Sequence, residues 1–196
     1  MFGKGRWSPG RAAVAGGILI VVLAAAALGF AATRSSPQAP YSRAQTIDGI
    51  RCLGNEALDF HIHQHLDLYD HGTHVLVPAY IGIPNNGQYA TCYYWIHVHD
   101  QTGVIHVESP IQRQYTLGNF FDVWKATTSS TDPPRSSFPR LLQSARQVTT
   151  YYNGKLWRKG YRSVPLTEHA SITVEIGKPL VRPHVLTSKD WNTLGV

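Results

Sequence analysis

Residues 94–108 read YWIHVHDQTGVIHVE, two β-rich runs separated by Asp100, Gln101, Thr102 and Gly103. A polar stretch ending in glycine between β-branched runs is a hairpin turn signal. Symmetric closure of that turn puts His99 opposite Val104, His97 opposite His106 and Trp95 opposite Glu108. Successive side chains on a strand point to opposite faces. His97, His99, His106 and Glu108 therefore share one face, and Ile96, Val98, Ile105 and Val107 share the other. A one-residue bulge at Gly103 would break this register.

The same alternation occurs upstream. Residues 60–69 read FHIHQHLDLY, with Phe60, Ile62, Leu66 and Leu68 on one face and His61, His63, His65 and Asp67 on the other. Asp70, His71 and Gly72 form a turn signal. Residues 74–83, HVLVPAYIGI, read as a second strand whose Pro78 marks an edge or a bulge. Eight of the ten histidines fall between His61 and His106. His71 and His74 flank a turn and are expected in solvent; His169 and His184 are remote and read as structural.

Downstream the period changes. In residues 116–126, TLGNFFDVWKA, Leu117, Phe120, Phe121 and Trp124 recur at helical spacing behind Thr116 as N-cap. Phe138, Leu141, Leu142 and Ala145 predict a second short helix starting at Ser137, with residues 127–137 as a loop. Residues 148–152 run into Asn153-Gly154, a strong hairpin signal. In residues 171–176, Ile172, Val174 and Ile176 mark the inner face of a strand.

The element order from Tyr94 onward resembles the β-grasp arrangement of ubiquitin-like domains, and YYNGK (151–155) with VPLTEHASITVEIG (164–177) is similar to their second half. The expected fold is α+β and strand-rich. It is a β-grasp-like sheet with an added N-terminal β-hairpin (60–83) and one or two short helices, preceded by one transmembrane helix. The rival is a β-sandwich with a helical crossover. In the first arrangement the helix covers Ile96, Val98, Ile105 and Val107, and the histidine face meets the added hairpin.

Residues 1–11 carry Lys4, Arg6 and Arg11 and no acid. Residues 12–32, AAVAGGILIVVLAAAALGFAA, are uncharged and long enough to span a bilayer, which takes about 20 residues. The positive flank predicts a single-pass anchor with a cytoplasmic N-terminus and an exported remainder. A cleaved signal peptide is the competing reading, on the small residues near Gly29–Ala32. The chain thus divides into a basic flank (1–11), an anchor or uncleaved signal (12–32), a polar linker (33–46) and an exported histidine-rich domain (47–196). Of 18 Lys and Arg, removing those three leaves 15 against 12 acids, a net charge of +3 without basic runs. Nucleic acid is therefore not an expected partner. Cys52 and Cys92 are expected to pair, since an exported even pair normally bridges. Such a bridge closes about 40 residues and stabilises by roughly 4 kcal/mol; a thiolate ligand for a soft metal is the alternative.

HIHQHL, WIHVHDQTGVIHVESP and TLGNFFDVW, within residues 60–126, are similar to motifs of a group of exported, membrane-anchored bacterial proteins of unassigned activity. That resemblance implies an envelope location and no particular chemistry.

Imidazole is the commonest protein ligand for transition metals. Two histidines two apart on one strand plus one on its neighbour can converge on one ion. His97, His99 and His106 supply that set, which resembles the three-histidine site of alpha-type carbonic anhydrases, although about 150 exported residues are too few for that enzyme's usual fold. Glu108 is a fourth ligand, an orienting partner or a base. His61 and His65 would lie about 13 Å apart at roughly 3.3 Å per residue, so at most an adjacent pair of His61, His63 and His65 shares that ion. The third is left for a second site or a relay. Asp67 and Asp100 are candidates to orient ligand rings, and Glu108 and Asp100 to move protons.

Cupin, metallo-β-lactamase and HExxH spacings are absent, as are phosphate-binding glycine loops and GxSxG. The only methionine is the initiator, which excludes a thioether-rich Cu(I) site. Imidazole with carboxylate suits a divalent transition metal, zinc or Cu(II) first. The function expected is a membrane-anchored extracytoplasmic metal-binding protein, handling metal or serving as a subunit of an envelope complex. The alternatives are a small metalloenzyme using metal-activated water or oxygen, and a pH-responsive interaction domain.

Overall fold

The computed structural model of the chain describes residues 45–85, 88–128 and 133–196, the side chains of 133–136 excepted. The basic flank, the anchor segment and residues 33–44 of the linker lie outside the described residues. Among the described residues no helix is long and apolar enough to cross a membrane.

The elements in chain order are β1 (Cys52–Leu53), β2 (Phe60–Asp70), β3 (Thr73–Val75), β4 (Tyr93–Tyr94), β5 (Ile96–His97), β6 (Val104–Ser109), β7 (Tyr115–Thr116), α1 (Leu117–Thr127), α2 (Pro133–Ser144), β8 (Val148–Tyr152), β9 (Lys155–Leu156), a 3-10 turn (Tyr161–Ser163), β10 (Pro165–Leu166), β11 (Ala170–Ile176) and α3 (Ser188–Leu194). The domain is α+β and strand-rich. Its main sheet has seven strands in the order β5-β6-β2-β11-β8-β9, with β3 also on β2. Two small pairs, β1 with β4 and β7 with β10, stand beside it.

The strand at 60–70 occupies a different place from the one expected. It does turn back through residues 71–72 to pair with β3 as a hairpin, but that hairpin is not laid over the histidine face: the strand is a central one of the same sheet. β2 pairs antiparallel with β6 from Phe60↔Ser109 to His65↔Val104, and parallel with β11 from Ala170↔Gln64 to Ile176↔Asp70. Eleven residues give it length for neighbours on both sides. Alternation assigns faces but does not name neighbours, so the pattern of 60–69 does not reveal that β6 and β11 flank it.

The partner strand expected at 74–83 stops at Val75. Pro78 has no N–H to give a ladder, and Tyr80 and Gly82 take φ of 61° and 75°, outside extended conformation. Segment 81–82 instead lies along the other strands, with Val98 N donating to Ile81 O and Tyr94 N to Gly82 O.

The register of the second hairpin is the one its turn predicts, with His97↔His106 and Ile96↔Val107 paired. β8 and β9 close through Asn153 and Gly154, both with positive φ as a type I′ turn requires. Thr116 caps α1 reciprocally with Asn119. α2 begins at Pro133, earlier than the apolar spacing alone predicts; proline fits a first turn, whose N–H groups need no helical partner.

Leu66 and Leu68 of β2, Ile96, Ile105, Val107, Ile172 and Val174 meet Leu117, Phe120, Phe121 and Trp124 of α1 in one core. Each such side chain contributes about 1.5–3 kcal/mol by leaving water. Helix and core claim one face of β5, β6 and β2. The alternating residues, all the histidines in question, are left on the other.

Candidate metal centre

Three adjacent strands deliver the site. β5 and the residues after it bring His97 and His99, β6 brings His106 and Glu108, and β2 brings His61 and His63. Ligand atoms of His97, His99, His106 and Glu108 all lie within 4.8 Å of one another. Those of His61, His63 and His106 form a second such group.

His97 is the best-held member, with a fully buried side chain. Its Nδ1 lies 2.8 Å from Tyr94 O. A carbonyl only accepts, so Nδ1 carries the proton and the Nε2 lone pair is turned into the site. That Nε2 sits 3.2 Å from Nε2 of His99. Two nitrogens on one tetrahedral ion at zinc distances are about 3.3 Å apart, so the pair already has chelate spacing.

Gly82 makes room for this. A Cβ there would stand 2.5 Å from Ile96 O and 2.9 Å from His97 Cβ. Only a residue without a side chain lets segment 81–82 close over His97.

Glu108 is the carboxylate at the centre. Its Oε1 is 3.3 Å from His61 Nε2, 3.4 Å from His106 Nδ1 and 3.8 Å from His97 Nε2. Its Oε2 is buried without a hydrogen-bond partner among the described residues, a costly state that a cation would relieve. Glu56 adds a second carboxylate, with Oε1 3.5 Å from His99 Nε2 and 3.9 Å from His97 Nε2.

Burial pushes His97 down to about 4 against the pull of Glu108, and pushes His63 down to about 4 with help from His106 and His61. Burial and then His106 lower His99 as well. Glu108 is raised by burial, but His106, His97 and His61 outweigh this and hold it below the usual carboxylate range. At neutral pH His97, His99 and His63 therefore offer imidazole lone pairs beside the Glu108 carboxylate anion, the donor types of zinc-type ions.

His65 joins neither group. Its Nε2 donates to Thr102 O at 2.8 Å, and its Nδ1 is 3.7 Å from Asp67. Asp67 faces His65 and His74 rather than the ligand rings. Asp100 turns back to accept from Thr102 N and Oγ1, closing the 100–103 turn. His71 is exposed and pairs with Asp70, and His169 stacks on Trp191. Cys52 and Cys92 form the expected disulfide, which ties β1 to the chain entering β4.

Glu56 is the residue that sequence reasoning missed. It lies in a loop with no periodicity; its one sequence cue is its place between bridged Cys52 and the first histidine strand. Beside His99 opens a cleft of about 390 Å³, lined among others by Tyr80, Ile83, Tyr89 and Tyr93. Compared with known proteins, the chain matches no family model, no curated protein and no solved structure.

Proposed function

We infer that this is a membrane-anchored, extracytoplasmic metal-binding protein whose domain holds a divalent transition ion, zinc or Cu(II), with His97, His99, His106 and Glu108. The observation that carries the reading is the His97–His99 pair. Two ring nitrogens stand at chelate spacing, one of them oriented by a backbone carbonyl, beside a buried carboxylate with an unsatisfied oxygen. The disulfide supports an oxidising compartment, and the apolar 12–32 run supports the anchor. The scaffold reads as β-grasp-like: β6-β2-β11-β8-β9, with β2 and β11 parallel and α1 and α2 between β6 and β8 in sequence. Its role is metal handling or a subunit's part in an envelope complex.

The test is zinc and copper analysis of the detergent-solubilised full chain, compared with His97→Ala/His99→Ala. At least one ion per chain in the first, and one ion fewer in the second, is the expected result. Equal, substoichiometric metal in both would sink the reading.

The cleft favours a second reading, a small metalloenzyme. It reaches His99, whose side chain is 40% exposed, so a substrate has a path to the ion. An open coordination position would then carry an activated water. Exchangeable water on the bound ion favours the enzyme; a saturated shell favours the binding module.

A further inference from the structure

One ion leaves His61 and His63 without a task. Donors on a single ion at about 2.1 Å lie no more than about 4.2 Å apart. Neither His61 nor His63 belongs to the His97–His99 group, yet both group with His106. Ring centroids are 4.4 Å apart for His61–His63 and 4.7 Å for His63–His106, so these rings crowd together as the first group does. His106 and Glu108 stand between the two sets: His106 is 4.6 Å from the His99 ring, and Glu108 Oε1 contacts both His61 and His97.

Resting on the metal reading above, we propose that the histidine face is a two-ion centre, its second ion held by His61, His63 and His106 and joined to the first through Glu108. A neutral imidazole offers one lone pair, so His106 serves one ion at a time. When both positions fill, His106 goes to the second ion. Glu56, 3.5 Å from His99, completes the first with His97, His99 and Glu108. A carboxylate has two oxygens and about four lone-pair sites, so Glu108 can ligate both ions. The partnerless Oε2 supplies the extra capacity. Two divalent ions bring four positive charges, and the two carboxylates offset half of them.

The experiment loads the full-length protein with Cu(II) and with zinc, then counts ions per chain after desalting. Two ions in the natural chain and one in His61→Gln/His63→Gln are expected. The second copper equivalent should also broaden the electron paramagnetic resonance signal of the first, a readout that needs no variant. One ion per chain that is kept in His61→Gln/His63→Gln overturns the two-ion centre while leaving the metal reading standing, whereas a single ion lost in that variant overturns both, because it places the ion on His61 and His63. An unbroadened signal that merely doubles overturns it as well. No tightly held metal in any form overturns both.

Discussion

At the scale of residues, burial keeps the imidazoles of His97, His99 and His63 neutral. His97 has its pKa pushed down to about 4, below the value near 6.5 that it regains on unfolding. Between those limits the unfolded chain binds the extra proton, so stability falls as pH falls. From His97 alone the metal-free domain should lose roughly 3 kcal/mol on passing from pH 6.5 to 4. Glu108 acts in the same direction at lower pH, because its folded form resists protonation. Urea denaturation across that range is the check; a flat profile would show that His97 is not buried as described. Glu56 gives a second prediction. Glu56→Gln should leave the fold intact and lower metal affinity about 10–100-fold, the usual cost of losing a partner at the edge of a metal shell. Unchanged affinity in a competition titration would remove Glu56 from the site.

At the scale of elements, much was legible where chemistry is local. The 100–103 turn announces its own register, so His97 opposite His106 follows from sequence. Asn153-Gly154 and the Thr116 cap are equally local. What was not legible was long-range pairing. Nothing in FHIHQHLDLY says that β6 lies on one side and β11 on the other; only its local hairpin with β3 follows from the 70–72 turn. Glu56 escaped for the same reason, since only tertiary structure brings its loop to His99. α3 went unread although Thr187 and Asp190 form its capping pair.

The close approach at Gly82 makes an element-scale prediction. Gly82→Ala meets Ile96 O and His97 Cβ at a positive φ, whereas Gly160→Ala meets nothing within 4 Å among the described residues and bears only the conformational cost. Both should lose stability, about 1 kcal/mol for Gly160→Ala. Only Gly82→Ala should also weaken metal binding. Equal metal affinity in the two variants would show that segment 81–82 does not position His97.

At the scale of the whole molecule, the disulfide, the sheet and the ion should act together. The Cys52–Cys92 bridge spans 40 residues and fixes the loop that carries Glu56. Reduction should cost roughly 4 kcal/mol by the chain-entropy estimate and lower metal affinity at the same time. A metal that binds only the folded state adds about 2.7 kcal/mol at a hundred times its Kd. For a domain of this size that raises Tm by roughly 5–10 °C. Calorimetry with and without zinc, in oxidised and reduced protein, reads both effects.

X-ray absorption at the zinc edge of the loaded full chain tests the metal centre most directly. Light nitrogen and oxygen donors at about 2.0–2.1 Å, with outer-shell scattering from at least two imidazoles, are predicted. In the His61→Gln/His63→Gln background, which keeps only this site, the imidazole signature should persist, and adding His97→Ala/His99→Ala should remove it. The same spectrum in both variants, or a shell without imidazole in the natural chain, would contradict a metal centre built on His97 and His99.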